Sequence, residues 1–164
     1  MFSKLFRSKK NEDSVVLSGL TEEQRASLFE KYVFSKFDKK YFKLLNRRSD
    51  GQANEFTPDL EYEFRHNAFV RKFAVVAVFK QDGVDGKMEV DNKMLEDLSA
   101  YSTKTNLELY IILGMGVNPE KPQHVYTIPL IHFKTNPVSL NSLEVFKKDP
   151  GADFFYQRDI DCLT

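Results

Sequence analysis

The chain has 164 residues with 24 basic and 24 acidic side chains, so it is neutral overall at pH 7. A protein devoted to non-specific nucleic-acid binding draws much of its affinity from phosphate neutralisation and is usually basic. The balance argues against that class and leaves room for a local patch. One cysteine, Cys162, excludes an intrachain disulfide and a cysteine-built zinc cluster, and it fits a reducing cytoplasm. No run approaches the roughly 18 apolar residues of a membrane span, and the N-terminus lacks the apolar core of a signal peptide. A cytoplasmic location without an integral membrane segment is therefore expected.

Hydrophobic residues at 41% describe a folded protein, and 15 Phe with 7 Tyr and no Trp point to an aromatic-rich core. The length suits one domain over 19–164, preceded by a flexible basic tail over 1–18. Within Met1–Lys10 the apolar set Met1, Phe2, Leu5 and Phe6 admits a membrane-surface helix. Ten residues make a marginal helix in water, so a frayed tail is the plainer reading.

Thr21 opens a helix. Thr21 and Gln24 have capping-box spacing, and Glu22 and Glu23 lie where the positive helix end favours acids. Leu28, Phe29, Tyr32, Val33 and Phe37 recur at helical spacing and face a core, with Glu30 lying just off that stripe. Lys39–Arg48 predicts a strand on Tyr41, Phe42, Leu44 and Leu45. Its bases, with the one before it, form the set Lys36, Lys39, Lys40, Lys43, Arg47 and Arg48. That run reads either as a phosphate-facing patch or as a solvated strand edge whose lysines discourage pairing. Ser49–Thr57 is a loop by composition.

Leu60, Tyr62 and Phe64 alternate with Glu61, Glu63 and Arg65, the pattern of a half-buried strand. After a turn over His66–Val70, the run Phe73–Phe79 is apolar throughout and predicts a central strand buried on both faces. A turn over Gln81–Gly86 follows, then a helix over Asp91–Thr103. Buried strands are expected over Leu107–Leu113 and His124–Leu130, and a short helix over Ser139–Lys147. Gly114-Met115-Gly116 reads as a turn, because Pro119 stands where a dinucleotide fingerprint needs its third glycine. His66, His124 and His132 have no metal-binding spacing, and Cys162 has no neighbouring histidine. The fold class that follows is α/β or α+β, a mixed sheet flanked by helices.

This order resembles the αβββαβ core of the PD-(D/E)XK, or restriction-endonuclease-like, nucleases, over about 21–130, with additions over 131–164. Ser27–Phe37 resembles the first helix of a bacterial branch in which a glutamate lies within the helix. Pro58-Asp59 looks like the family's PD, and Phe73–Lys80 resembles the strand that carries E-x-K in active members. Leu107–Leu130 is similar to the next strand, glycine turn and Tyr-x-Ile-Pro-Leu strand.

In such enzymes a divalent metal activates water and stabilises the charge that develops on the phosphate. Carboxylates hold the metal and a lysine assists the attack. The resemblance matches Asp59 to the metal-binding aspartate and Glu30 to the helix glutamate. It puts Val76 and Val78 at the acid and lysine positions, where neither can bind metal nor move a proton.

The leading expectation is thus a catalytically inactive nuclease-like domain without a cofactor, serving as a nucleic-acid-binding or protein-assembly module. DNA, a protein partner or a second copy would be the ligand. The alternative is an active magnesium-dependent deoxyribonuclease with migrated groups, in which Asp59 and Glu61 hold metal while Glu30 and Lys80 assist. A third reading is a structural interaction domain without nucleic-acid contact.

Overall fold

In the computed structural model, residues 19–48, 56–81, 86–133 and 137–164 are described. The expected tail over 1–18 and most of the expected loop over 49–57 and turn over 81–86 lie outside them.

Helix α1 spans Glu22–Ser35, and its capping box is made in both directions. Gln24 N–H donates to the Thr21 hydroxyl at 3.1 Å, and Thr21 N–H donates to the Gln24 side chain at 2.9 Å. These bonds satisfy N–H groups that a helix start leaves without intrahelical partners. Strands β1 (Phe42–Arg47), β2 (Leu60–His66) and β3 (Phe69–Lys80) then form an antiparallel meander.

The turn expected over His66–Val70 is tighter than composition suggested. His66 pairs with Phe69, so two residues make the loop, and Asn67 takes φ 56°. Asparagine tolerates that left-handed conformation, which lets the hairpin close early.

Strand β4 (Lys87–Met88) leads to helix α2, Asn92–Thr105, capped by Asp91, whose carboxylate accepts Met94 N–H at 3.0 Å. The helix ends at Asn106, at φ 53°. Strand β5 (Glu108–Met115) returns parallel to β3, and β6 (His124–Pro129) runs antiparallel to β5.

Beyond β6 come a 3-10 turn over Leu130–Phe133, β7 (Val138–Ser139) pairing with β4, and a short helix α3 (Leu140–Leu143). A further 3-10 turn covers Glu144–Phe146 before β8 (Lys147–Lys148). The expected helix over Ser139–Lys147 is therefore broken into an α turn and a 3-10 turn. Finally, β9 (Tyr156–Gln157) and β10 (Cys162–Leu163) form a terminal hairpin.

The main sheet has the order β1-β2-β3-β5-β6-β8. With the short β4 set apart in its own pair with β7, the succession α1, β1, β2, β3, α2, β5 is the expected αβββαβ order, with the expected mixed sheet between helices. Strand alternation sorts the core onto two faces. Leu60, Tyr62, Phe73, Val75, Tyr110 and Ile112 pack with Phe29 and Val33 of α1. Ala74, Val76 and Leu109 pack with Leu98 of α2.

The α1 face carries the aromatics. Phe37 stacks on Tyr62 at 4.2 Å and on Phe154 at 4.6 Å between ring centroids. Phe154, Tyr156 and Leu163 show that the terminal residues complete this core.

Gly114 is a strand residue of β5, not the start of a turn. A Cβ there would stand 2.3 Å from Cε2 of Phe29, so the glycine is what lets the Phe29 ring rest on the sheet. Phe29 also meets Phe79 at 5.6 Å. Together these contacts seat the middle of α1 against β3 and β5.

Candidate functional site

Seating α1 in this way turns Glu23, Ser27 and Glu30 to one side of the helix, since residues three, four and seven apart share a face. They line a cavity of about 540 Å³ together with Ala26, Arg48, Phe56, Asp59 and Ala77. The two carboxylates singled out in the sequence, Glu30 and Asp59, thus come to one place from different elements. Asp59 stands just ahead of β2, where the pleat does not yet dictate its direction. Its Oδ2 accepts the backbone N–H of Ala77 at 2.7 Å, while its own N–H donates to Val75 O at 3.0 Å.

The electrostatics follow from this position. Burial pushes the Asp59 carboxyl up from its ordinary value to about 6. The Ala77 N–H opposes that rise, the charge of Glu30 adds to it, and the Arg48 guanidinium opposes it. Glu30 has a cation of its own. Arg47 donates to Glu30 Oε1 from Nη2 at 3.2 Å and from Nε at 3.3 Å. The same guanidinium lies 4.9 Å over the Phe34 ring, one helical turn beyond Glu30.

The strand positions facing this cavity differ by one residue from those the resemblance implied. Val76 and Val78 pack in the α2 layer, against residues that include Leu98 and Met94. The cavity-side residues of β3 are Ala77, which lines it, and Phe79, which packs on Phe29. The reason lies in the register. Leu60 opposes Val75 and both face α1, which puts 77 and 79 on that face and 76, 78 and 80 on the other. Lys80 is exposed at the end of β3 on the side opposite Glu30.

Glu61 and Glu63 do not share the Asp59 direction. The Glu61 carboxylate accepts the Tyr101 hydroxyl of α2. Glu63 is bound by Arg65 at 2.5 Å, with Lys72 at 3.9 Å. Glu61 thus lies apart from Asp59, and the carboxylates that line the cavity with Asp59 are Glu30 and Glu23. Among the described residues, no group of three or more His, Cys, Asp or Glu is placed to share a metal ion.

The basic run divides. Arg47 and Arg48 stand at the cavity end of β1. Lys36 belongs elsewhere, donating to Gly151 O at 3.2 Å. Lys39 and Lys40 precede the strand at its far end, Lys40 lying 5.2 Å from the Tyr41 ring. Lys43 opposes Glu63 in register. Sequence reading missed Glu23 and Phe56 as cavity residues. Glu23 carries a detectable signal, since it lies seven positions before Glu30.

No protein-family pattern and no curated protein matches the chain in sequence. Among solved structures it is similar to Hjc, a Holliday junction resolvase from the archaeal hyperthermophile Archaeoglobus fulgidus. The identity is 15%, over 75% of this chain and 87% of that one, with a TM-score of 0.46. A likeness of that degree carries no argument about site or activity. No helix among the described residues is long and apolar enough to cross a membrane.

Proposed function

We propose that this chain is a nuclease-like domain that does not hydrolyse phosphodiesters and serves as a binding or assembly module. One observation carries the reading: the β3 residue that meets Asp59 in the cavity is Ala77, which offers a backbone N–H where metal-dependent hydrolysis would call for a carboxylate. Magnesium asks for oxygen ligands in near-octahedral geometry, supplied by converging carboxylates and water. Here Oδ2 of Asp59 accepts that N–H and Oε1 of Glu30 accepts both Arg47 bonds, so half of each carboxylate is already engaged by a protein donor. With no acid on β3, this donor set suits an arginine better than a magnesium ion. Arginine supplies the positive charge that balances these acids.

The ligand of such a module is a nucleic acid, a partner protein or a second copy of the chain. The division of the basic residues between two ends of β1 weakens the nucleic-acid option, because a phosphate backbone is best followed by an unbroken stripe.

Calorimetric titration of Mg²⁺ and Mn²⁺ into the purified chain tests the reading, with Asp59→Ala as control. The expected outcome is no saturable heat in either protein. Sub-millimolar binding that Asp59→Ala abolishes would overturn it and favour an active deoxyribonuclease built on Glu30 and Asp59.

A further inference from the structure

The first strand of the sheet has features that the carboxylate cavity does not use. Among the described residues, β1 has β2 on one side and no strand on the other. Five of its six residues are exposed. An edge of this length offers a row of N–H and C=O groups to any chain that can lie alongside, and proteins usually blunt such edges. The opposite edge is blunted: β8 has only two residues.

Two further observations bear on what β1 would accept. Leu44 and Leu45 are 38% and 41% exposed, adjacent apolar side chains on a strand that faces water. The register slips between Leu44 and Asn46, so Leu45 is an extra residue without a partner on β2. Such a bulge re-aims the side chains around it. Charge is the second observation. Lys39, Lys40 and Lys43 are all exposed along the approach to β1 and its first half, in a chain that is neutral as a whole.

We infer that β1 is a docking edge for an extended acidic segment of a partner protein, which adds to the sheet as a further antiparallel or parallel strand. The backbone edge supplies direction and affinity, Leu44 and Leu45 meet apolar side chains, and the three lysines select acidic ones. This rests on the reading of the chain as a binding module. A nucleic acid fits the same strip less well. It has no use for an open backbone edge or two leucines, Arg47 is already bonded to Glu30, and Arg48 lines the cavity with Asp59. A second copy pairing β1 to β1 would bring like charges together.

The test uses the whole chain and three fluorescein-labelled probes followed by anisotropy: a peptide of alternating glutamate and valine, its lysine–valine counterpart, and a single-stranded DNA oligonucleotide. The acidic peptide is expected to bind saturably in the micromolar range, at least tenfold better than the basic one. It should slow amide hydrogen exchange within β1. Lys39→Glu combined with Lys43→Glu should weaken it at least tenfold while leaving the circular dichroism spectrum unchanged.

Absence of saturable binding, equal binding of the basic peptide, or exchange protection confined to another region would overturn the inference. So would DNA that protects β1 where the acidic peptide does not bind. These outcomes are separable from failure of the module reading, which is decided by divalent-cation binding and does not enter the anisotropy.

Discussion

The Asp59 carboxylate accepts the N–H of Ala77 at 2.7 Å, and this single bond joins the start of β2 to the middle of β3 on the α1 side of the sheet. It draws the acid out of solvent beside Glu30, with Arg48 as the countercharge. A carboxylate kept in such a place costs stability, and the cost can be measured.

Burial raises the folded Asp59 carboxyl from 3.8 to about 6. Between those values the folded chain holds a proton that the unfolded chain has released, so stability falls as pH rises through this window and is level above it. Asp59→Asn keeps an acceptor for the Ala77 N–H and removes the charge. At about 1.36 kcal/mol per pKa unit, it should stabilise the protein by up to about 3 kcal/mol at pH 7.5. Urea unfolding at several pH values should show this gain shrinking below pH 6 and vanishing near pH 4.

Gly114 should tolerate no side chain. Gly114→Ala would drive a methyl group into the Phe29 ring, at a cost of about 1–3 kcal/mol for an overpacked core. Phe29→Leu in the same chain should recover part of that loss, and chemical denaturation of the single and double variants measures the coupling.

The carboxylate cavity should acquire a metal when β3 supplies an acid of its own and Glu30 is relieved of its arginine. Ala77→Glu with Arg47→Ala would direct one more carboxylate to Asp59 and free Glu30. Calorimetry is expected to show saturable Mn²⁺ binding in the double variant and none in the parent chain.

Glu61 should behave as a structural partner of α2. Tyr101→Phe removes the hydroxyl that Glu61 accepts and should cost about 1–2 kcal/mol in unfolding free energy. The same substitution should leave the pH dependence attributed to Asp59 unchanged, since Glu61 points away from the cavity.

Much of this architecture is legible in the residues. Thr21 and Gln24 mark the start of α1, the run Phe73–Phe79 marks the central strand, and Pro58-Asp59 with Glu30 mark the two acids that meet. The face of β3 is not legible, for a physical reason. A strand apolar on both sides gives its period but no polar marker to say which alternate residues meet α1. A choice off by one residue exchanges Val76 and Val78 for Ala77 and Phe79.

Gly114 was obscured in a similar way. A glycine after a strand suggests a turn, and only the Phe29 ring on the other chain segment explains it inside β5. The terminal hairpin had no periodicity to announce it, because β9 and β10 have two residues each and are held by Tyr156 and Leu163 entering the core.

The most direct test of the central claim is incubation of supercoiled and single-stranded DNA with the purified chain in Mg²⁺ or Mn²⁺, beside Asp59→Ala. The account predicts no cleavage above that of the variant, with either metal. Metal-dependent nicking by the parent chain that disappears in Asp59→Ala would contradict it.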